Sequence, residues 1–244
     1  MKWCIAMTEI HVLVVIPARG GSKSIPLKNI RPLAGKPLIT YAIASALKAK
    51  SADAVFVSTD DDAIAKVARE AGAQIPFMRP AELAKDDTPM YPVLQHAVAW
   101  VESRQKTKVE VVVLVDPTAP FVLPQDIDGC VEKLRKGGFD CVMTITEADR
   151  SPYFNMVEYQ GESLQLVKKP KEPIYRRQDA PKVYNITSSA YATRRDVLMD
   201  QNTIFGSKTG GIVVPESRAG HIDTIEQFEF FDYMMKRGGM HGGE

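Results

Sequence analysis

A basic, glycine-containing loop follows the first apolar run of this chain. The run, residues 12–16, is rich in β-branched side chains and predicts a buried strand. The glycines at positions 20 and 21 lack a Cβ, so the backbone there can turn its amide groups toward one point. The surrounding side chains carry positive charge or a hydroxyl donor: Arg19, Ser22, Lys23 and Lys28. The pattern indicates a polyphosphate site, and the alternative is a surface loop that happens to be basic.

Two common phosphate-binding loops are excluded by spacing. A Walker loop needs a glycine, four residues and then Gly-Lys-Ser/Thr, whereas Gly35 and Lys36 lack the earlier glycine and are followed by Pro37. The dinucleotide-binding fingerprint needs a glycine two positions after Gly20, where Ser22 stands. The loop is therefore of neither the kinase type nor the nicotinamide-binding type.

The stretch from Ala18 to Asn29 resembles the opening motif of the acylneuraminate cytidylyltransferases, the CMP-sialic acid synthetase family. That motif reads roughly Ala-Arg-x-x-Ser-Lys-x-x-Pro-x-Lys-Asn, and the stretch matches it throughout. The resemblance implies that Arg19, Ser22 and Lys23 hold the triphosphate of CTP, with Arg19 and Lys23 catalytic. It implies a nucleotide pocket formed by Ala18, Arg19, Gly20, Gly21, Ser22, Lys23, Lys28, Asn29, Arg79 and Thr88.

Arg79 and Thr88 belong to a second stretch that resembles the family. An arginine at a strand end presents a planar fork of donors, which suits the hydrogen-bonding edge of cytosine. Thr88 opens the next predicted helix, whose N-terminus would face the base or the ribose. Taken alone, the stretch favours a turn with an exposed arginine; together with the first motif, it favours base recognition.

A carboxylate and a basic segment point to the acceptor sugar. Asp116 ends the apolar run 109–115, where it either binds sugar hydroxyls, helps to position a metal, or holds the turn by accepting amide hydrogen bonds. Arginine binds carboxylates through two hydrogen bonds, as recognition of a sugar acid requires. Thr187-Ser188 stands where sialate-using members typically have Asn-Gly, which leaves the identity of the sugar acid open. The resemblance implies a sugar site formed by Asp116, Arg176, Arg177, Gln178 and Tyr191.

A last motif precedes the C-terminal helix. Where the family usually shows Asp-x-Asp, with both carboxylates supporting Mg²⁺, this chain has His221 and Asp223. The resemblance therefore implies Mg²⁺ as the cofactor, with Asp223 as its anchor and as a catalytic residue. Because Mg²⁺ prefers oxygen to imidazole, we expect His221 to weaken the site. The alternative is that Asp223 merely caps the helix.

Composition excludes several other classes of protein. The 244 residues, 45% of them hydrophobic, suffice for a full core, and the formal charge of +1 predicts neither nucleic-acid binding nor attachment to an anionic membrane. Cys4, Cys130 and Cys141 lack metal-ligand spacing and are expected as small core side chains. No run reaches the ~18 apolar residues of a membrane span, and Met1–Met7 is too short and mixed for a signal peptide. We therefore expect a cytoplasmic protein.

Apolar β-type runs alternate with helical patterns along most of the chain. The alternation predicts an α/β, Rossmann-like fold with a mostly parallel sheet and ligands at the carboxyl ends of its strands. The resemblance specifies a nucleotide-diphospho-sugar transferase fold. The predicted strands are 12–17, 54–58, 74–77, 109–115, 141–146 and 211–214, and the predicted helices are 37–50, 61–71, 89–104 and 124–135.

An insertion interrupts this alternation. Residues 8–148 and 185–240 form the predicted core, whereas residues 149–184 are polar and rich in Pro, Lys and Arg. A structureless loop of that length is improbable, so we expect a small β insertion with a hairpin around Gln160 and Gly161. In the family, the matching insertion is an exchanged dimerisation subdomain that reaches over the partner's active site. The resemblance therefore implies a homodimer.

Together these features predict cytidylyl transfer from CTP to a 2-keto-3-deoxy sugar acid, giving a CMP-sugar and pyrophosphate. The anomeric hydroxyl attacks the α-phosphorus in line, and the protein acts mainly by positioning and charge neutralisation. By resemblance, the activity is of the N-acylneuraminate cytidylyltransferase type. Alternative acceptors are pseudaminate, legionaminate, the deaminated nonulosonate KDN and, last, the octulosonate Kdo. The alternative from a different class is a nucleotide-binding homologue in which His221 has impaired catalysis.

Overall fold

The protein is described from a computed structural model, over residues 9–22, 24–170 and 172–238. Lys23, one of the predicted triphosphate ligands, lies outside the described residues, and so does Cys4.

The described residues form a six-stranded central sheet, two small hairpins and six helices. The strands are β1 (Val12–Pro17), β2 (Pro32–Leu33), β3 (Lys36–Pro37), β4 (Ala54–Ser58), β5 (Val111–Val115), β6 (Cys141–Glu147), β7 (Val157–Gln160), β8 (Ser163–Leu166), β9 (Tyr184–Arg194) and β10 (Thr209–Val213). The helices are α1 (Ile39–Lys48), α2 (Asp62–Glu70), α3 (Met90–Glu102), α4 (Pro124–Gly137), α5 (Arg195–Asp200) and α6 (Ile225–Lys236). None of these helices has the length and apolar character needed to cross a membrane.

The central sheet has the strand order β10-β6-β9-β5-β1-β4. Only β9 runs antiparallel to its neighbours, and the other described pairs are parallel. Helices α1, α2 and α4 pack on one face of the sheet, and α3 and α5 pack on the other. This arrangement confirms the predicted α/β, Rossmann-like fold with a mostly parallel sheet.

Burial on both faces explains why β1 reads as a continuous apolar run. Val12, Val14 and Ile16 pack into the core on one face of the sheet, while Leu13 and Val15 pack into the core on the other. Side chains alternate between the two faces of a strand, so a strand covered on both faces must be apolar at every position. The run therefore fixes β1 in the interior of the sheet, with the glycine loop at its carboxyl end.

The strand β9 is the main departure from the predicted order of elements. Polar residues at positions 185 and 187–189 interrupt its apolar pattern, so the sequence did not indicate a strand there. In the structure, Thr187 and Ser189 are buried and their hydroxyl groups are hydrogen-bonded. Conversely, the predicted strand 74–77 makes only an isolated bridge between Gln74 and Phe56. The predicted helix start at Pro37 is also wrong, because Pro37 lies in β3.

Residues 148–183 link β6 to β9 and carry the β7–β8 hairpin. The hairpin lies where it was predicted, and Gly161 in its turn has φ +66°, a conformation that favours glycine. Its strands pair only with each other. Val157, Tyr159 and Leu164 are each more than half exposed, with relative exposures of 54%, 75% and 57%. The hairpin thus presents apolar side chains that its own chain does not cover.

The two described cysteines are core residues, as predicted. Cys130 and Cys141 are both buried and free of disulfide bonds. Burial raises the pKa of the Cys130 thiol to about 12 and that of the Cys141 thiol to about 11. Both therefore remain uncharged thiols at neutral pH, which suits packing rather than reactivity.

Candidate active site

A cavity of about 390 Å³ lies at the carboxyl ends of β1 and β5. We call it the first cavity. Parallel strands bring their carboxyl ends to one edge of a sheet, so the loop after β1 and the turn after β5 meet here. The residues that line it are Pro17, Arg19, Ser22, Ser24, Lys28, Asn29, Met90, Leu114, Asp116, Pro117, Thr118 and Asp223.

The glycine loop packs against the turn between β4 and α2. The Gly20 N–H donates to the Asp60 carboxylate at 3.1 Å, so this amide is engaged within the protein rather than turned toward a ligand. A Cβ at Gly20 would lie only 2.7 Å from Asp61 Oδ2, which explains the need for glycine. A Cβ at Gly21 would meet no described atom within 4 Å. Gly21 is therefore the position where a ligand can approach the backbone closely.

Arg19 and Asn29 connect the glycine loop to the short 3₁₀ turn that follows it. The Arg19 guanidinium pairs with Asp86 at the edge of the first cavity. The Asn29 Nδ2 donates to the Arg19 carbonyl at 3.1 Å, which fixes the loop. The Asn29 Oδ1 is buried and has no hydrogen-bond partner among the described atoms. Because an unpartnered buried acceptor is costly, this oxygen is suited to a donor supplied by a ligand.

Asp223 is held between two basic side chains. Lys28 Nζ donates to Asp223 Oδ1 at 3.2 Å and to the Ile222 carbonyl at 2.9 Å. His221 Nε2 lies 3.1 Å from the other Asp223 oxygen, Oδ2. The Asp223 side chain is nevertheless 58% exposed. His221 thus stands at the position of the expected first aspartate and contacts the second, whose carboxylate is still open to the cavity.

Thr224, not Asp223, is the N-cap of α6. The Thr224 hydroxyl accepts the Gln227 N–H at 3.3 Å, and the Gln227 side chain accepts the Thr224 N–H at 3.1 Å. This reciprocal pair is a capping box. The alternative in which Asp223 merely caps the helix is therefore wrong, and its carboxylate is left for another role.

The segment before α6 is anchored to the rest of the core on both sides of His221. Arg218 pairs with the buried carboxylate of Asp126, with one N–O distance of 3.1 Å. The Ile222 N–H donates to the Thr118 carbonyl at 2.9 Å. Thr118 follows β5, so this bond ties the His221–Asp223 segment directly to the turn that carries Asp116.

Asp116 is a half-buried carboxylate that both holds its turn and faces the first cavity. Its Oδ1 accepts the Thr118 N–H at 2.8 Å and the Thr118 hydroxyl at 2.7 Å. Burial raises the pKa of the Asp116 carboxyl; the Thr118 hydrogen bonds and the Lys28 charge oppose this rise, and the Asp223 charge adds to it. The turn-holding role is confirmed. Asp116 and Asp223 line the same cavity.

We expect Asp116→Asn to stabilise the protein at neutral pH while lowering turnover. Because the folded-state pKa is raised, the stability contributed by Asp116 is greatest below its unfolded pKa of about 3.9 and is lost as the pH rises. Asparagine still accepts the Thr118 bonds but carries no charge. Thermal denaturation should show a Tm about 2–4 °C higher at pH 7, with the difference shrinking toward pH 4.

The control for this prediction is Asp128→Asn. Asp128 also accepts backbone amides, from Lys50 at 3.1 Å and Ser51 at 2.8 Å, but it lies outside the first cavity. We expect this variant to show no gain in Tm. An Asp116→Asn protein with an unchanged or lower Tm at neutral pH would contradict the argument from burial.

Arg79 lies beneath the site rather than open to it. It is only 7% exposed, and its Nε donates to the Ser58 hydroxyl at 3.1 Å while Nη2 donates to the Ser58 carbonyl. Burial lowers the pKa of Arg79 to about 10, so it remains charged at neutral pH. Two of its donors thus hold the end of β4 instead of presenting the full fork to a base. Thr88 does not line the first cavity, and its hydroxyl lies 3.4 Å from the Glu82 carbonyl.

Two further cavities are lined by neighbouring parts of the chain. The second cavity, of about 710 Å³, lies between the end of β6, the start of β9 and α6. His221 lines the second cavity and Asp223 the first, so this segment borders both. The third cavity, of about 400 Å³, shares Glu147 with the second. The residues that line the second cavity are Thr146, Glu147, Asp149, Tyr184, Asn185, Ile186, Thr187, Glu216, Ala219, Gly220, His221, Gln227 and Phe231.

The structure does not bring the predicted sugar ligands together. Asp116 lines the first cavity, whereas Arg177 and Gln178 line the third. Arg176 pairs with Asp179, with an Nε–Oδ2 distance of 2.9 Å. Tyr191 lines none of these three cavities. Its position on β9 places Tyr191 opposite Leu114 and Met143, so its side chain packs in the core. Burial there raises the pKa of Tyr191.

Comparison with known proteins assigns the chain to a protein family. The family model described as cytidylyltransferase matches residues 13–233. The chain belongs to the cytidylyltransferase family. The match runs from β1 into α6 and includes every residue of the first cavity, so it confirms the resemblance read from the opening motif.

Several relatives match this cytidylyltransferase over nearly its full length. CMP-N,N'-diacetyllegionaminic acid synthase of Campylobacter jejuni is 36% identical, over 92% of this chain and 95% of the relative. Pseudaminic acid cytidylyltransferase of the same organism is 32% identical, over 92% and 96%. N-acylneuraminate cytidylyltransferase of Streptococcus agalactiae is 28% identical, over 92% of this chain and 54% of the relative.

Solved structures show the same fold. A CMP:2-keto-3-deoxy-manno-octonic acid synthetase complexed with CTP has a TM-score of 0.69 at 18% identity, over 93% of this chain and 99% of the other. A 4-diphosphocytidyl-2C-methyl-D-erythritol synthase of Anaerococcus prevotii has a TM-score of 0.64 at 15% identity, over 93% and 98%. At these identities the likeness concerns the fold, and it confirms the predicted architecture of this cytidylyltransferase.

Sequence motifs missed most of the second cavity of this cytidylyltransferase. Asn185 and Glu216 stand in no motif, and no local signal distinguishes them from ordinary surface residues. Thr187 did carry a signal, because it lies in the Thr-Ser pair that departs from the Asn-Gly of sialate-using members. The first cavity was predicted better, since one contiguous motif supplies much of its wall.

Proposed function

We propose that this cytidylyltransferase transfers the CMP group of CTP to a nonulosonic, 2-keto-3-deoxy sugar acid and releases pyrophosphate. The observation that carries the proposal is that the His221–Asp223 segment lines two cavities. One is lined by the nucleotide-binding motif, and the other by hydroxyl, amide and carboxylate groups suited to a sugar. The names of the relatives, which refer to legionaminic, pseudaminic and N-acylneuraminic acids, support the same substrate class.

In this proposal the first cavity holds CTP. Arg19, Ser22 and Lys28 supply positive charge and donors for the triphosphate. The buried Oδ1 of Asn29 accepts a hydrogen bond from the nucleotide, which gives this atom the partner that it otherwise lacks. As the sugar hydroxyl attacks the α-phosphorus and pyrophosphate leaves, negative charge grows on the phosphate oxygens. Preorganised cations that face those oxygens lower the barrier without any covalent step on the protein.

The residues of the first cavity fit a Mg²⁺ ion that is held jointly with the nucleotide. No group of three or more His, Cys, Asp or Glu side chains is arranged to bind a metal within the described ranges. Asp116 and Asp223 nevertheless line the same cavity, and carboxylate oxygens are the ligands that Mg²⁺ prefers. We propose that these two carboxylates hold the ion and phosphate oxygens complete its shell. The ion would neutralise phosphate charge.

The sugar acid would occupy the second cavity. We place legionaminate- and pseudaminate-type acids ahead of N-acetylneuraminate, because the relatives named for them are more similar to this chain over nearly the whole length of both proteins. Thr187 lines this cavity, and Ser188 follows it in the chain. Because this pair stands where sialate-using members typically have Asn-Gly, it supports an acceptor other than a typical sialate. Since CTP is made in the cytoplasm, we propose that the reaction takes place there.

Pyrophosphate release tests the proposed function. The purified protein is incubated with Mg²⁺, CTP and one acid at a time from a panel of N,N'-diacetyllegionaminate, pseudaminate, N-acetylneuraminate, KDN and Kdo. We expect release with a nonulosonic acid and CTP, and little with ATP, GTP or UTP. Calorimetric CTP binding without release for any acid would instead indicate a nucleotide-binding homologue that has lost catalysis.

We also propose that a second copy of this chain covers the β7–β8 hairpin. An isolated two-stranded hairpin is at best marginally stable in water, so the exposed apolar side chains of this one need a partner surface. Tyr159 and Leu164 lie opposite each other in the hairpin and are 75% and 57% exposed. A homodimer would bury them and bring a second set of basic residues near the cavities.

Light scattering at micromolar concentration tests the dimer. We expect the natural protein at twice the 27.0 kDa of one chain, and a Tyr159→Asp, Leu164→Asp double variant at the monomer mass, because two buried charges oppose association. Phe230→Asp is the matched control, since Phe230 is 55% exposed but lies on α6. A natural protein at 27.0 kDa would contradict the proposal.

A further inference from the structure

The strand β9 bulges out of register opposite Thr144, at the boundary between the first and second cavities. The neighbours of Thr144 in β6 pair with Tyr191 and Ile186, so Thr144 alone faces residues 187–190. Ser188, at the middle of the bulge, has φ +57°, in the left-handed region. Bulges of this kind break the regular ladder and redirect the side chains beside them.

The side chain of Thr144 supplies hydrogen bonds that the ladder no longer provides. Thr144 is fully buried. Its Oγ1 accepts the Ala190 N–H at 3.2 Å, and the Thr187 hydroxyl lies 2.7 Å from the same oxygen. The Thr187 hydroxyl also lies within donating distance of the Thr144 carbonyl, at 3.1 Å. Without these bonds the bulge would leave polar groups unpaired in the core, which is costly.

The bulge touches both cavities. On one side, the Ser189 carbonyl accepts the Asp116 N–H at 3.2 Å, and Asp116 lines the first cavity. On the other side, Asn185, Ile186 and Thr187 line the second cavity. The bulge is therefore the part of the sheet that sets the position of Asp116 relative to the wall of the second cavity.

We infer that Thr144 is a positioning residue for cytidylyl transfer. It lines neither of the two cavities, but its hydroxyl fixes the bulge that orients Asp116 and Thr187 toward them. The glycine loop leaves from β1, two strands away from β9, and its contacts with the triphosphate do not depend on the bulge. Loss of the Thr144 hydroxyl should thus impair transfer rather than CTP binding. This inference rests on the proposed function.

Thr144→Val and Thr144→Ser test the inference. Valine keeps the shape of threonine and removes the hydroxyl, whereas serine keeps the hydroxyl. Thr193→Val is the matched control, because Thr193 is equally buried on β9 and its hydroxyl donates to the Ile204 carbonyl at 2.8 Å, but it lines neither cavity. For each protein we would measure the Tm, the calorimetric Kd of CTP without Mg²⁺, so that Asp116 does not contribute through the metal, and kcat and KM for the sugar acid.

We expect both valine variants to lose a few degrees of Tm, since each lacks the buried hydrogen bonds of its hydroxyl group. Only Thr144→Val should lose turnover, by about 30- to 100-fold, since a displacement of about 1 Å can cost 100-fold. Its Kd for CTP should stay within about twofold of the natural value, because the hydrogen bonds of the glycine loop are unchanged. Thr144→Ser should restore most of the turnover.

A second variant guards against failure of Thr144→Val to fold. Thr144→Cys is close to serine in size and replaces the hydroxyl by a thiol, a much weaker hydrogen-bond partner, so it should cost turnover as Thr144→Val does. The inference is overturned if Thr144→Val, or Thr144→Cys where the valine variant does not fold, keeps its turnover, or if Thr193→Val loses it equally. A natural protein without cytidylyltransferase activity would defeat the proposed function itself, and this outcome is distinct because it appears before any variant is compared.

Discussion

Asp223→Asn is expected to lower turnover by about two to three orders of magnitude, or to require far more Mg²⁺ for the same rate. Asp223 presents an exposed carboxylate at the junction of the two cavities, between Lys28 and His221. Asparagine preserves the shape of the side chain and removes its charge. Because Thr224 provides the N-cap of α6, the variant should keep its helix and its fold.

The expected effect of His221→Asp is opposite. A second carboxylate beside Asp223 would add a hard oxygen ligand, which should lower the Mg²⁺ concentration needed for half-maximal rate. Mg²⁺ is titrated against initial rate for the natural protein and both variants, with circular dichroism to confirm folding. If the Asp223→Asn curve matches that of the natural protein, the protein's contribution to the metal must come from Asp116 instead.

Arg19→Ala is likewise expected to lower turnover by about two to three orders of magnitude without unfolding the protein. Arg19 faces the first cavity from the glycine loop, where its guanidinium can neutralise charge on the leaving pyrophosphate. Loss of one preorganised donor typically costs about 3–4 kcal/mol of transition-state stabilisation. Steady-state rates measure the loss of turnover, and circular dichroism spectra show whether the protein stays folded.

Two control variants separate catalysis from the structural pairing of Arg19 with Asp86. Arg19→Lys keeps the charge but loses the planar fork, so an intermediate rate is expected. Asp86→Asn weakens the same ion pair from the other side and should leave turnover within about threefold, since surface ion pairs are worth about 1 kcal/mol or less. Equal losses in Arg19→Ala and Asp86→Asn would show that the pairing, not contact with phosphate, is what matters.

The sequence by itself determined the features that contiguous residues encode. The apolar run of β1 is buried on both faces and must be a strand. The motif from Ala18 to Asn29 carries the family, which the match over residues 13–233 confirms. Local signals suffice here because burial and backbone freedom act on neighbouring positions.

Only the tertiary structure decided how distant segments meet. Lys28 and Asp223 are 195 positions apart, and no local pattern predicts their contact. The burial of Arg79 at the end of β4 and the placement of Tyr191 in the core were likewise invisible in the motifs. The polar strand β9 was missed because its hydroxyl-bearing residues are typical of a loop. They are buried because their hydroxyl groups find partners in the fold: Thr144, on another strand, binds the Thr187 hydroxyl, and the Ser189 hydroxyl donates to the Thr187 carbonyl. Packing between neighbouring strands, rather than the strand propensity of the local sequence, therefore determines the boundary between the two cavities.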